Sequence, residues 1–355
     1  MRSYSRLSLL LIVAILALAP VFTVSAQGGD CPSGWSADDC ALSAAADANA
    51  ESIMSFRMES WSVSLVVTGT PDGDLNVQVS GDGAIDATSV VPDEANPLSV
   101  FDGLTMIMTM EASLAQGADS TSGAMEIRIV DGMGYINGVQ TTQGTWWGMD
   151  LGRILAAAMA AQDDDGGELP IDPGMVAELA SNPMIAGLLD GLAQVPGFIT
   201  GEGTDGPMID GQATRALTTR VNLGALLQLL SSPETSQQLT QMLGQEGAMV
   251  MMLVPMFQPI LDATTIVSTR YVSPADQMPR GIMFEFATQI DPNLLAGLTG
   301  GRPDPNARPV SINVMFEVRL AAINQPVTVE APAGATDQTD LILRFLESGM
   351  GGFGF

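Results

Sequence analysis

The chain contains no lysine and no histidine. These absences remove the side chains that most often act as general base, Schiff-base amine or imidazole metal ligand. Carboxylates remain, and a pair of them could in principle cleave glycosides. Here they gather in turns and runs such as Asp72-Gly73-Asp74 and Asp163-Asp164-Asp165, as a solvating exterior would place them. The sequence predicts a protein that is not an enzyme and uses no cofactor. Cysteine is nearly absent, with Cys31 and Cys40 alone. Two thiols without histidine make a poor zinc site, whereas so close a pair in an oxidising compartment forms a disulfide. Positive charge is scarce as well. Thirteen arginines face forty Asp and Glu, a net charge of −27. That field repels phosphate backbones, so nucleic acid is excluded as a partner, and it opposes docking on anionic lipid.

Hydrophobic residues are plentiful at 46% of 355, enough for a large core. The first of them address the chain. Arg2 and Arg6 precede an unbroken apolar stretch from Leu9 to Ala19. Val24-Ser25-Ala26 then has the small-x-small pattern of a signal-peptidase site, predicting cleavage before Gln27 and an exported product. The rival is an uncleaved anchor, because Leu7 to Val24 nearly spans a bilayer; Pro20 and the small residues favour cleavage. Cleavage leaves eleven arginines against forty carboxylates, a net of −29. Gly28-Gly29-Asp30 before Cys31 does not match a lipobox. No second apolar run is long and uninterrupted enough for a membrane span.

After the loop 27–43, tied by Cys31 and Cys40, the pattern predicts a helix over Ala44–Met54. Period-two alternation then marks strands. One carries Trp61, Val63, Leu65 and Val67; the next Leu75, Val77, Val79 and Ile85; a third Met106, Met108, Met110, Ala112 and Leu114. Met125, Ile127 and Ile129 begin a fourth, which turns at Asp131-Gly132 into a short strand at Tyr135. Asp150 is suited to cap the helix that follows from Leu151. A helical insertion spans 151–206. Within it, Asp163 to Glu168 lacks the alternating ligands and sixth-position glycine of a calcium loop and reads as a solvated linker. Asn222 and Asp291 repeat the passage from strand through Asx cap into apolar helix. Strands resume at Thr265–Val272, Gly281–Ile290 and Val310–Leu320. A proline-bounded edge strand is expected over Pro326–Pro332, a helix over Asp340–Ser348, and a flexible Gly/Phe tail over 349–355. The span 44–348 is expected to form a single domain.

The strand through Trp61, the stretch G-Y-I-N-G…W-W-G-M-D-L, the passage Val221 to Leu230 and the closing N-Q-P-V-T-V-E-A-P-A-G-A together carry a resemblance. In their order they resemble the LolA/LppX-type lipoprotein-carrier superfamily. The resemblance implies an α+β fold, with a strongly curved antiparallel half-barrel sheet wrapped around or covered by helices. It implies an enclosed apolar cavity for a lipid or acylated small molecule, exchanged with a membrane or lipoprotein donor and acceptor. No family ligand residue can be matched here.

Methionine is abundant, with 22 residues, and flexible thioethers suit varied acyl chains. Trp61, Val63, Leu65, Met106, Met108, Met110, Trp146, Met249, Met252, Phe284 and Phe286 are the candidate cavity lining. The same residues could simply be core. Trp146 and Trp147 are adjacent, so on a strand only one of them can face inward. Two readings follow, an exported apolar-ligand carrier and a cell-surface structural or interaction module with a filled interior.

Overall fold

The computed structural model describes residues 31–70, 73–91, 99–138, 142, 144–165, 197–224, 258–294 and 307–347. Their strands are β1 (Ser55–Thr68), β2 (Leu75–Asp86), β3 (Thr105–Gln116), β4 (Asp119–Val130), β5 (Met133–Gly138) and β6 (Trp147–Asp150). They continue with β7 (Ile199–Ile209), β8 (Gln212–Val221), β9 (Thr265–Val272), β10 (Pro279–Ile290), β11 (Val310–Ala321) and β12 (Thr336–Asp337). The helices are α1 (Ala37–Ala50), α2 (Val100–Gly103), α3 (Leu151–Asp165) and α4 (Thr339–Glu347). The strands belong to one twelve-stranded sheet. Neighbours run antiparallel wherever β2 to β6 and β7 to β10 pair, and β12 alone joins β6 in parallel. This is a sheet-dominated α+β protein.

Contacts group the chain into two compact units. One takes Met1–Ser52, Val66–Pro71 and Leu192–Glu317; the other takes Ile53–Leu65, Asp72–Gly191 and Val318–Phe355. The expected single domain over 44–348 therefore has two centres of packing.

In the first unit, β7 to β10 form an antiparallel meander and α1 lies against β9 and β10. Ala46 of α1 packs with Leu217 and Val272, all three fully buried, flanked by Trp35 and Leu42. The helix starts at Ala37, well before the expected Ala44. The reason is a capping box: the Ser36 hydroxyl accepts from the Asp39 amide, and the Asp39 carboxylate accepts from the Ser36 amide. Two orphan donors of the first turn are thereby satisfied. The expected loop 27–43 thus contains the opening turns of α1. Gly201 and Gly203 of β7 make room for this docking, because a Cβ on either would run into the Trp35 ring or the Asp39 carboxylate.

In the second unit, β2 to β6 form a second meander. Asp131-Gly132 makes the expected two-residue turn, both residues at positive φ (51° and 75°). Asp210-Gly211 repeats it in the first unit at 53° and 70°, joining β7 and β8 as a hairpin. Such turns match the right-handed twist of paired strands. The Asp150 carboxylate accepts from the Arg153 amide at 2.9 Å, capping α3 as expected. Asn222 and Asp291 cap the amides two residues on, at 3.0 and 2.9 Å. Asp163-Asp164-Asp165, the first part of the expected linker, form the last turn of α3; Gly166 to Glu168 lie outside the described residues.

The segment Pro326–Pro332 is not a strand. It crosses one sheet face as a strap, held by side chains where a strand would use ladder bonds. The Val327 amide donates to the Asp86 carboxylate at 3.3 Å, and Arg128 donates to the Glu330 carbonyl at 2.8 Å. The sheet gains β12 beyond the strap, where Thr336 and Gln338 amides donate to the Trp146 and Gly148 carbonyls. The insertion expected to reach residue 206 gives way to β7 at Ile199.

Candidate functional site

Strand register in the second unit aligns one side of the meander into rows. One row runs Gly83, Met108, Ile127, Ile136 and Trp147 across β2 to β6. Beside it run Ile85, Met106, Ile129, Gly134 and Met149. On the other flank come Gly81, Met110, Met125 and Gly138, then Val79, Ala112 and Gly123. Directly opposed residues share a face, so these rows form one surface without a charged side chain. The reverse side carries Asp82, Thr109, Glu126 and Asn137 in one row, and Ser80 and Glu111 in the next.

Glycine is placed regularly on the apolar side. Gly83 stands opposite Met108, Gly81 opposite Met110, and Gly138 opposite Met125. Neighbouring side chains enter the space these glycines leave. The Met58 methyl lies 2.8 Å from the position of a Cβ on Gly83, and the Trp61 indole nitrogen 3.0 Å from one on Gly81. Leu151 of α3 covers Gly134 in the same way. The Trp61 Nε1 is buried with no acceptor among the described residues, so its N–H carries an unreturned desolvation cost.

The apolar face is not sealed. Met106, Met108, Met110, Ile127, Ile129, Ile136 and Trp147 are all half-buried, and Leu114 is 42% exposed. Among the described hydrophobic residues of this unit, Ala84 alone is buried, and it belongs to the reverse face. A groove of about 330 Å³ opens between Val77, Met110, Leu114, Met125 and Gly138. That volume lies at the lower end for small-molecule sites. A depression of about 430 Å³ lies on the reverse face, lined by Gln78, Ser80, Glu111, Ser113 and Ser122. Its lining is short, polar and largely exposed, as expected of a solvated sheet. The apolar groove is the better candidate.

The expected lining residues separate. Met106, Met108 and Met110 share the apolar face, with Met110 in the groove. Trp61 packs at Gly81, and Val63 and Leu65 follow it half-buried on β1. Trp146 lies under the Arg128 guanidinium, 4.8 Å from ring centroid to cation, and Arg128 is paired with Glu126 at 2.8 Å. Trp147 is the tryptophan in register with Ile136 on the apolar side. The choice between the two follows from β6 beginning at Trp147, a boundary that the Gly144-Thr145-Trp146 lead-in does not specify. Phe284, which is buried, and Phe286 belong to β10 of the first unit. Met249 and Met252 lie outside the described residues, as do the signal segment and the Gly/Phe tail. Met58, Met125 and the glycines were not legible as site residues. Glycine opposite Met108, Met110 and Met125 is a pattern visible only once strands are paired.

Electrostatics centre on the first unit. Asp39, 5% exposed, binds Arg215 at 2.8 Å. The Arg215 hydrogen bond, helped by Ser36 and opposed by burial, lowers the Asp39 carboxyl to about 2. Arg215 is raised in turn. Arg270 pairs with Asp47 at 2.5 Å, so two ion pairs pin α1 to the sheet. In the second unit the Thr88 hydroxyl and amide lower Asp86, with the Val327 amide adding to them.

Cys31 and Cys40 form a disulfide, Cα atoms 5.9 Å apart, which fits an extracytoplasmic setting. Among the described residues, no group of three or more Cys, Asp or Glu side chains is placed to hold a metal ion. No helix among them is long and apolar enough to cross a membrane. Comparison with known families finds no matching family model, and no curated protein matches the sequence.

Proposed function

We propose that this is an exported, non-catalytic protein that binds a lipid or acylated small molecule against the apolar face of β2 to β6. The observation that carries this reading is a charge-free sheet face that stays half-open and ends in a groove between Met110 and Met125. Leaving such a surface in water is costly, since each buried methylene is worth about 0.8 kcal/mol. A linear apolar ligand would recover that free energy. The absence of cations on the face directs the ligand's apolar part inward and leaves any polar headgroup to solvent. In the carrier reading, the sheet curves around such a ligand as a half-barrel, with the chain passing it from a membrane or lipoprotein donor to an acceptor.

The test is native mass spectrometry of residues 27–355, purified without detergent from an exporting host. The expected result is a bound species of lipid mass, released by organic extraction. Met106→Ser with Met110→Ser should weaken its retention while the domain still unfolds cooperatively. A protein that stays ligand-free after incubation with membrane lipids would overturn the carrier reading and favour a cell-surface interaction module.

A further inference from the structure

We infer that the methionines of the apolar face also form a thioether site for a soft monovalent cation, Cu(I) or its analogue Ag(I). Thioether sulfur is a soft, uncharged donor that prefers Cu(I) over the hard cations taken by carboxylates. The sequence M-x-M-x-M at Met106, Met108 and Met110 places three such donors on one side of β3. Met125 stands directly opposite Met110 on β4, at the spacing where cross-strand side chains touch. Met58 reaches the same side, its methyl beside Gly83 and therefore next to Met108.

The glycine placement brings further groups to these side chains. Met108, Met110 and Met125 each have glycine as a cross-strand neighbour, and Met58 enters the space over Gly83 beside Met108. A methionine with three rotatable bonds can turn its sulfur toward a shared ion. Met110 and Met125 line the open groove, which supplies an entry path. The Trp61 ring sits at Gly81 beside Met110 and can add a cation–π contact. The net charge of −27 concentrates cations around the molecule. The face itself holds no carboxylate, so hard divalent ions find no ligand there. Binding involves no electron transfer, because the ion enters and leaves as Cu(I).

The inference does not depend on an apolar ligand. Leucine in place of these methionines keeps the face apolar and near its volume but removes the sulfur. The experiment titrates Ag(I) into the mature protein labelled with ¹³C in its methionine methyl groups, with single Met108→Leu, Met110→Leu and Met125→Leu variants assigning the signals. The expected result is a shift of those three methyl signals saturating at one equivalent, with quenching of tryptophan emission and no response to Ca(II) or Zn(II). The triple leucine variant should lose that equivalent while keeping the far-UV circular dichroism and cooperative unfolding of the wild type. Unshifted Met108, Met110 and Met125 signals would overturn the site, as would full Ag(I) stoichiometry in the triple variant. If the triple variant fails to fold, the wild-type titration alone decides, through the same three signals.

Discussion

Asp39 does three things with one carboxylate: it closes the capping box of α1, holds Arg215, and fills the space over Gly203. Its carboxyl stands at about 2 in the folded protein against an ordinary aspartate value of 3.8. A depressed carboxyl stabilises the fold fully above its unfolded value and loses that contribution as pH falls through the folded one. The window therefore runs from about pH 4 down to about pH 2, and the contribution is about 2 kcal/mol. Urea unfolding of wild type should show this loss across that window. Asp39→Asn should be less stable by about 2 kcal/mol at pH 7 and should lose about that much less than wild type through the same acid range. Equal pH dependence in both proteins would remove Asp39 from the account. Because the pair is largely withdrawn from solvent on the carboxylate side, added salt should screen it weakly.

Elements are joined in this protein by short polar contacts at their ends. Thr339, 1% exposed, opens α4 and its hydroxyl accepts from the Asp150 amide at 2.9 Å. Asp150 in turn caps α3, so this hydroxyl ties the first residue of α4 to the cap of α3. Thr339→Val keeps the shape and leaves a buried N–H without an acceptor, a loss of about 1–3 kcal/mol, readable as a lower unfolding midpoint with α3 helicity reduced. The strands were legible in the sequence because alternation reports the half-buried sheet directly, as in Met106 to Leu114 and Val310 to Leu320. The three Asx caps were legible for a similar reason, since their chemistry is local. The strap at Pro326–Pro332 was not, because Val327 and Val329 alternate like a strand, while the Val327 amide donates to the Asp86 carboxylate and the Glu330 carbonyl accepts from Arg128. Trp146 and Trp147 could not be separated because a shift of one residue in the start of β6 exchanges their sides. The start of α1 was hidden by Cys31 and Cys40, which marked a loop although Cys40 lies within the helix.

At the scale of the molecule, charge and connectivity decide behaviour. A net of −27 sets carboxylates against one another, and arginine compensates only part of it. Self-repulsion destabilises a compact state and is screened within about 10 Å at 0.1 M salt. The thermal midpoint should therefore rise between low salt and about 0.5 M NaCl, in contrast to the Asp39–Arg215 contribution, which should barely move. A midpoint that falls or stays level would show that the carboxylates are already dispersed widely enough. Connectivity acts on time rather than on energy. Each unit is assembled from three separate stretches, and the second includes Val318–Phe355. The strap and β12, which complete its meander, come after every other strand in the chain. A nascent chain cannot finish that unit until Val318–Phe355 has emerged, whereas the first unit has all its residues by Glu317. Any machinery that handles the chain in that interval meets a first unit free to close and a second still open.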